Sequence, residues 1–476
     1  MDYEPIDHGL LNHNHETAAQ TTEHLTLSRH PSKISINLAF PIHHIYMRYE
    51  AIDSKLFIEN RARFISHMKP NSIALFVSSA VFPRNADADF YFRQDSELFW
   101  LTGIDQEETM LILYPDCPNP IYKEVLFTRE TNEHIAVWEG HKFSKEEARA
   151  ISGIQQVNWN PDFKGLVNTL VKYADNIYLN SNENDRASNP VQTAQQRFVQ
   201  EVQQQFPLHN YERSAKIMEY ERSRKSAIEI ALIQRAVNIT AGAFHQVLKT
   251  VKPGMWEFEI EGLIMKEFLS NRANGYSFQP IIASGASACV LHYVSNDKQT
   301  KDGELLLLDF GADYANYAGD MTRCFPINGK FSPRQKEIYD AVLRVNRAAT
   351  KLLVPGRTLD EYNRESALIM QDELLRLGLI TRDDIAKESP TWPAYKKYFP
   401  HGTGHFLGID VHDIGARYGK LDVGMVITCE PGIYIQEEGI GVRIENDILI
   451  TANGPVNLMS GVPIETAEIE EIMANS

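Results

Sequence analysis

Five side chains in the C-terminal half of this 476-residue sequence have the chemistry to hold hard metal ions: Asp309, Asp320, His405, Glu430 and Glu445. Asp309 ends the apolar run Leu305–Leu308, which reads as a strand buried on both faces. A carboxylate there is costly unless it is hydrogen-bonded, paired or bound to a cation. The chain turns through Gly311–Gly319 and returns at Asp320, which predicts a hairpin with the two aspartates on adjacent strands. Taken alone, such a pair reads first as two turn-capping acids. His401, His405 and His412 lie within HGTGHFLGIDVHD, where Gly402 and Gly404 disfavour a helix and predict a tight loop bent around a bound group. Arg443 and Glu445, two apart in GVRIEND, share a strand face opposite Val442 and Ile444; alone, they would pass for a surface ion pair. Together, four carboxylates and one imidazole make a bridged site for two metal ions. Oxygen-rich ligation favours Mn²⁺, with Co²⁺, Fe²⁺ or Zn²⁺ as substitutes. Two ions ~3.5–4 Å apart activate water and polarise a carbonyl. Without them, the converging carboxylates repel and their pKa values rise.

The elements that must position these groups form an internal repeat. A helix, the turn Val251–Gly254 and the helix Glu257–Leu269 recur as a helix, Val354–Gly356 and the helix Leu359–Leu377. Gly303, Asp309 and Gly311 then recur as Gly424, Glu430 and Gly432: in each copy an acid stands six residues after a glycine and ends an apolar strand. Two such halves would pack about a pseudo-twofold axis, each delivering one acid from a strand end into a shared centre.

Ahead of this segment, residues 39–206 alternate between apolar runs and helical patterns, which predicts an α/β domain with a mixed sheet. Helical spacing covers Tyr49–Met68. Ser72–Ser78, Leu98–Leu101, Met110–Tyr114, Val125–Thr128, Val157–Trp159 and Asn176–Leu179 are the strand-like apolar runs. A Gln-rich exposed helix, Thr193–Gln205, and a linker over 207–222 lead into a long amphipathic helix, Ser223–Lys249, within a third segment, 223–476. Residues 1–38 are polar, with five histidines, and read as a loosely docked tail in preference to a metal-binding tract.

Composition narrows the function classes. A net charge of -16 argues against binding nucleic acid through its phosphates, and against anionic membranes. No run of about 18–20 apolar residues is evident, so no membrane span is expected. The N-terminus lacks the pattern of a secretory or transit signal. Cys117, Cys289, Cys324 and Cys429 share no CxxC spacing and read as reduced thiols. A cytoplasmic protein is the expectation.

LLLLDFGADYANYAGDMTRCF, HGTGHFLGIDVHD, TCEPGIYI and GVRIEND stand in the order found in the pita-bread metallopeptidases, and residues 216–476 resemble that family: methionine aminopeptidase, aminopeptidase P and prolidase. PRNADADFYFRQDSELFWLTG and FTRETNEHIAVWEG resemble the N-terminal domain shared by aminopeptidase P and prolidase. The resemblance implies an α+β chain with a mixed-sheet N-terminal domain and a pseudo-twofold catalytic domain. It implies that Asp309 binds one metal, that Asp320 and Glu445 bridge both, and that His405 and Glu430 complete the second. Glu430 is implied as general base. His292, in Val290–Tyr293, along with His401 and His412, is implied to hold substrate and the tetrahedral intermediate. Arg443 would orient the bridging glutamate, and Tyr434 would stand near the metals. The loop IGARYGKLDV is short beside that of many relatives, which bring an extra arginine there; Arg417 is the residue available to replace it. The implied substrate is a peptide with proline second, cleaved before the proline, in a homo-oligomer of two or four subunits. Aminopeptidase P is favoured over prolidase, and both over a non-catalytic peptide-binding relative or a metal-free creatinase-like enzyme, because the ligand set is complete.

Overall fold

The computed structural model describes residues 47–184, 186 and 191–475. The polar tail expected over 1–38 lies outside them. Helix α1 (Lys55–Ser66) buries Leu56, Phe57 and Phe64 along one stripe and so packs as the helical spacing predicts. Six strands follow: β1 (Ser72–Val77), β2 (Met110–Leu113), β3 (Glu124–Thr128), β4 (Gln156–Trp159), β5 (Asn176–Leu179) and β6 (Asn210–Arg213). They form one mixed sheet in the order β4-β3-β2-β1-β5-β6. The β1–β2 and β2–β3 pairs are antiparallel; the other three pairs are parallel.

Two readings of this region are corrected. Leu98–Leu101 is not a strand but part of helix α2 (Ser96–Thr102), capped by Asp95 and closed at Gly103 (φ 69°). Every residue from Glu97 to Thr102 is buried. A helix buried all round has no polar face, so its short apolar run carries no period to distinguish it from a strand. The stretch 207–222 is not a bare linker: it supplies β6 and the helix Ala215–Ser223. The long helix starts later than expected, as α3 (Ala227–Thr250). Ser226 and Glu229 form a capping box there, and Arg224 leaves the helical region.

The repeat is visible in the backbone. Helices α3 and α4 (Glu257–Ser270) precede β7 (Ile281–Ser284), β8 (Leu305–Phe310) and β9 (Met321–Pro326), an antiparallel sheet. Helices α5 (Pro333–Thr350) and α6 (Leu359–Arg376) precede β10 (Val426–Cys429), the hairpin β11 (Gly432–Ile435) and β12 (Ile440–Arg443), then β13 (Asn446–Thr451) and β14 (Gly454–Asn457). Gly254 and Gly356, at the equivalent helix–helix turns, both have φ 92°. Gly303 and Gly424, which open the acid-bearing strands, have φ 79° and 88°. The Gly254 N–H donates to Thr300 (2.9 Å) and the Gly356 N–H to Leu421 (2.8 Å). Left-handed turns at matched positions require glycine, which is why the repeat survives as a glycine pattern.

One apolar core runs from Tyr49, through Phe64, Leu98 and Trp100, to α3, β8, β9 and Ile469. Helix α3 is long and apolar enough to cross a membrane by length and composition, where the sequence predicts no such run. In the fold ten of its residues, among them Ile233, Val237 and Phe244, are buried.

Candidate active site

The pairing of β8 with β9 sets Asp309 opposite Thr322, so the two acids flank the β8–β9 connection. Asp320 sits one residue before β9, as the hairpin reading anticipates. Between them Ala312–Tyr314 and Tyr317–Ala318 form a small hairpin, turned through Ala315 and Asn316 in the left-handed region. A Cβ at Gly311 would lie 1.6 Å from the Gly319 carbonyl, so the two ends of this excursion approach too closely for any side chain.

The second half delivers its groups along β10. The His401–Phe406 loop is not helical and runs beside this strand. Thr428 N–H donates to the His405 carbonyl (2.9 Å), Thr428 Oγ1 accepts from His405 N–H (3.1 Å), and Glu430 N–H donates to Thr403 (2.8 Å). A Cβ at Gly404 would lie 2.0 Å from the Thr428 carbonyl. Glu445 falls in the break between β12 and β13, where its N–H donates to the Thr322 carbonyl (3.0 Å) across the two halves. The Arg443–Glu445 pair is therefore no surface feature: the two are 4% and 2% exposed.

Asp320, His405 and Glu445 bring one ligand atom each within 4.8 Å of one another. His405 Nε2 lies 3.4 Å from Asp320 Oδ2, and its Nδ1 lies 2.9 Å from the Phe406 carbonyl. That contact fixes Nδ1 as the donor and leaves Nε2 as the free lone pair. Burial raises Asp320 well above the usual carboxylate range, with the charges of Asp309, Asp447 and Glu430 adding to it. Glu445 rises for the same reason, through burial and then Asp320, Glu430 and Asp309. Glu430 is raised by burial against the opposing pull of His405 and Arg443. Asp309 Oδ1 and Asp320 Oδ1 are buried and meet no hydrogen-bond donor among the described residues. Anionic oxygens without donors, crowded by like charges, are what a divalent cation satisfies, and the donor set fits such ions.

Arg443 organises the rim. It donates to Asp309 Oδ2 (2.6 Å), Thr322 Oγ1 (3.0 Å) and the Tyr434 hydroxyl (2.8 Å). Thr322 Oγ1 in turn donates to Glu445 Oε2 (2.7 Å), completing a relay from arginine to carboxylate. His401 Nε2 bonds the Tyr434 hydroxyl (2.8 Å), and its Nδ1 lies 3.8 Å from Glu430. Burial, then Arg443, pushes the His401 imidazole down to about 3; burial, then His405, pushes His412 to about 2. The ring centroids of His405 and His412 lie 3.9 Å apart, the planes tilted by 38°. His292 is exposed at the end of the turn after Cys289. Beside His405 and His412 opens a cavity of about 590 Å³, bounded by Asn184, Arg186, Asp360 and Arg417.

Sequence reasoning passed over Thr322 and Asp447. Asp447 accepts from the Asp320 N–H (3.1 Å), and its only sequence signal is its place two residues after Glu445. Thr322 carries no signal at all; strand register alone sets it beside Asp309.

An acid-rich cradle between two repeated halves defines a class, the metallopeptidases, and the chain matches metallopeptidase family M24 over residues 231–452. Residues 57–178 match the aminopeptidase P N-terminal domain. Among curated proteins, the Xaa-Pro aminopeptidase of Haemophilus influenzae is 36% identical, over 88% of this chain and 96% of its own length. The Xaa-Pro aminopeptidase of Escherichia coli is 34% identical, over 89% and 98%. The solved structure of a Pseudomonas aeruginosa aminopeptidase superposes with TM-score 0.81 at 32% identity, covering 89% of this chain and 99% of that one. Aminopeptidase P from E. coli with the inhibitor Pro-Leu gives 0.78 at 32%, covering 90% and 99%. The chain belongs to the Xaa-Pro aminopeptidase (aminopeptidase P) family of M24 metallo-exopeptidases.

Proposed function

We propose that this protein releases the N-terminal residue from peptides whose second residue is proline, with two divalent ions held by Asp309, Asp320, His405, Glu430 and Glu445. The observation that carries this reading is the convergence of Asp320, His405 and Glu445 from both halves, with Asp309 Oδ1 and Asp320 Oδ1 buried and lacking any donor among the described residues. Mn²⁺ suits the oxygen-rich set, and a zinc-substituted form of the E. coli relative supports tolerance of other ions. When bound, such ions acidify water and polarise the scissile carbonyl.

The chain's own groups do the rest. Glu430, its pKa raised by burial, accepts the proton of the attacking water and returns it to the departing proline nitrogen, which has no N–H of its own. His412, neutral, donates a hydrogen bond to the carbonyl oxygen as charge develops there, while His401, neutral, gives its Nδ1 hydrogen to the Gly402 carbonyl, accepts from the Tyr434 hydroxyl at Nε2 and lines the substrate beside Glu430. His292 closes the other side. Arg443 holds Asp309 directly and Glu445 through Thr322, fixing ligand directions. Room beyond the proline, along the cavity bounded by Asn184 and Arg417, supports peptides longer than two residues, and the named relatives support aminopeptidase P over prolidase.

A cytoplasmic location is supported by four buried, unpaired cysteines. A dimer or tetramer is supported by exposed Phe90, Tyr91, Val137 and Trp138, and light scattering of the purified protein tests it. The 39–206 and 223–476 segments are proposed as the two domains, in line with the separate family matches. The deciding experiment is hydrolysis of Ala-Pro-Ala and Ala-Pro by metal-stripped protein, with and without added Mn²⁺. Mn²⁺-dependent release of alanine from the tripeptide is expected; cleavage of the dipeptide alone would make the enzyme a prolidase.

A further inference from the structure

Among the described residues, His412 Nδ1 is buried and meets no hydrogen-bond partner, and the ring lies against that of His405, tilted by 38°. The backbone that carries the imidazole belongs to an irregular turn, Gly408–Asp413. The turn is held from outside the repeated halves. Arg93, just ahead of α2, donates to the Ile409 carbonyl (2.6 Å), and Ser96 on α2 to Asp410 Oδ1 (2.7 Å). Asn184, after β5, donates its side-chain amide to the carbonyl of His412 itself (2.7 Å). Arg222 donates to Asp410 Oδ2 (2.9 Å), Asp413 Oδ1 (2.6 Å) and Glu97 (2.6 Å). Lys225 takes the second oxygen of Asp413 (3.0 Å).

The side chains of Arg222, Lys225 and Asp413 are each 1% exposed, so this is a buried lock and not a surface ion pair. Arg222 meets Glu97, Asp410 and Asp413, and Lys225 meets Asp413, so the buried Asp413 carboxylate is paired on both oxygens. The packing is close: a Cβ at Gly408 would lie 2.0 Å from Asp413 Oδ2. One side of His412 is thus tied through its own carbonyl and the other through the next residue's carboxylate, and the two ties come from different elements.

We propose that Asn184 and Arg222 are positioning residues for His412, acting through the His412 carbonyl and through Asp413, so that residues ahead of the repeated halves set the aim of a substrate-binding imidazole within them. The proposal rests on the reading of His412 as a group that touches substrate. Misplacement of a reacting group by about 1 Å costs up to ~100-fold in rate.

The test measures kcat and KM for Ala-Pro-Ala, with bound Mn²⁺ and Tm, for Asn184→Ala, Arg222→Lys and Arg222→Met, each with His412 present and replaced by alanine. Asn184 is on a half-exposed loop, so its variant keeps the test sound if Arg222 variants fold poorly. Expected is a ~10- to 100-fold loss of kcat in Asn184→Ala with KM, metal content and Tm held. A smaller loss is expected for Arg222→Lys than for Arg222→Met, with no further loss from either site once His412 is gone. Wild-type kcat in Asn184→Ala and Arg222→Lys, or losses equally large without His412, would overturn the positioning role. Unchanged kcat in His412→Ala, with metal bound, would instead overturn the reading of His412 on which it rests.

Discussion

Glu430 and His401 show how burial divides labour between neighbouring groups. Burial raises the carboxyl of Glu430 towards the range where it can both take and return a proton, while burial and Arg443 hold His401 uncharged, its Nε2 accepting from the Tyr434 hydroxyl. Glu430→Gln keeps the shape and removes the base; kcat on Ala-Pro-Ala is expected to fall by ~10²–10⁴ with the fold intact by circular dichroism. Near-wild-type turnover would remove Glu430 from the proton path. The pH behaviour has a definite sign. Asp320 and Glu445 are raised in the metal-free fold, so their contribution to stability is present at low pH and lost as pH rises through their folded values. Metal binding needs them deprotonated, so the rise in Tm on adding Mn²⁺ is expected to grow from pH 5 to pH 8. A gain that is constant or shrinks over this range would contradict the ligand assignment. His401, held at about 3, works the other way: its neutral form favours the fold above the ordinary imidazole range, and this is lost as pH falls towards 3.

At the scale of elements, the decisive feature is how closely backbones approach. The His401–Phe406 loop lies on β10 because Gly404 lets the Thr428 carbonyl approach where any Cβ would stand at 2.0 Å. Gly404→Ala must push the loop off the strand and carry His405 with it. Overpacking of this kind costs about 1–3 kcal/mol, and the same shift should weaken Mn²⁺ binding in a titration. Unaltered metal affinity would mean that His405 does not depend on this contact. The hairpin reading of Asp309 and Asp320 held because the apolar strand is buried on both faces. The strand reading of Leu98–Leu101 failed because α2 is buried on all sides and offers no polar face to set a period.

For the whole molecule, the N-terminal segment is structurally part of the site. Trp100 donates its indole N–H to buried Glu229 (3.0 Å), which also caps α3, and the apolar core is continuous across both segments. Expression of 223–476 alone would expose that core and leave Glu229 and Asp413 short of partners. The fragment is expected to aggregate and to show no metal-dependent hydrolysis. A monodisperse, active fragment would show that the segments are independent.

The sequence by itself determined the ligand types, their order and the repeated glycine–acid spacing. Metal ligation fixes which side chains can serve, and left-handed turns fix where glycine must stand, so both leave marks that survive without coordinates. His292, His401, His412 and Arg443 could be nominated from motifs for the same reason. The tertiary structure decided what depends on contacts between distant segments. Thr322 joins the site through strand register, and Asn184 and Arg222 through one carbonyl and one carboxylate more than 180 residues away. None of these has a local signature, because a hydrogen bond between segments constrains where two side chains meet and not how either is spaced along its own chain.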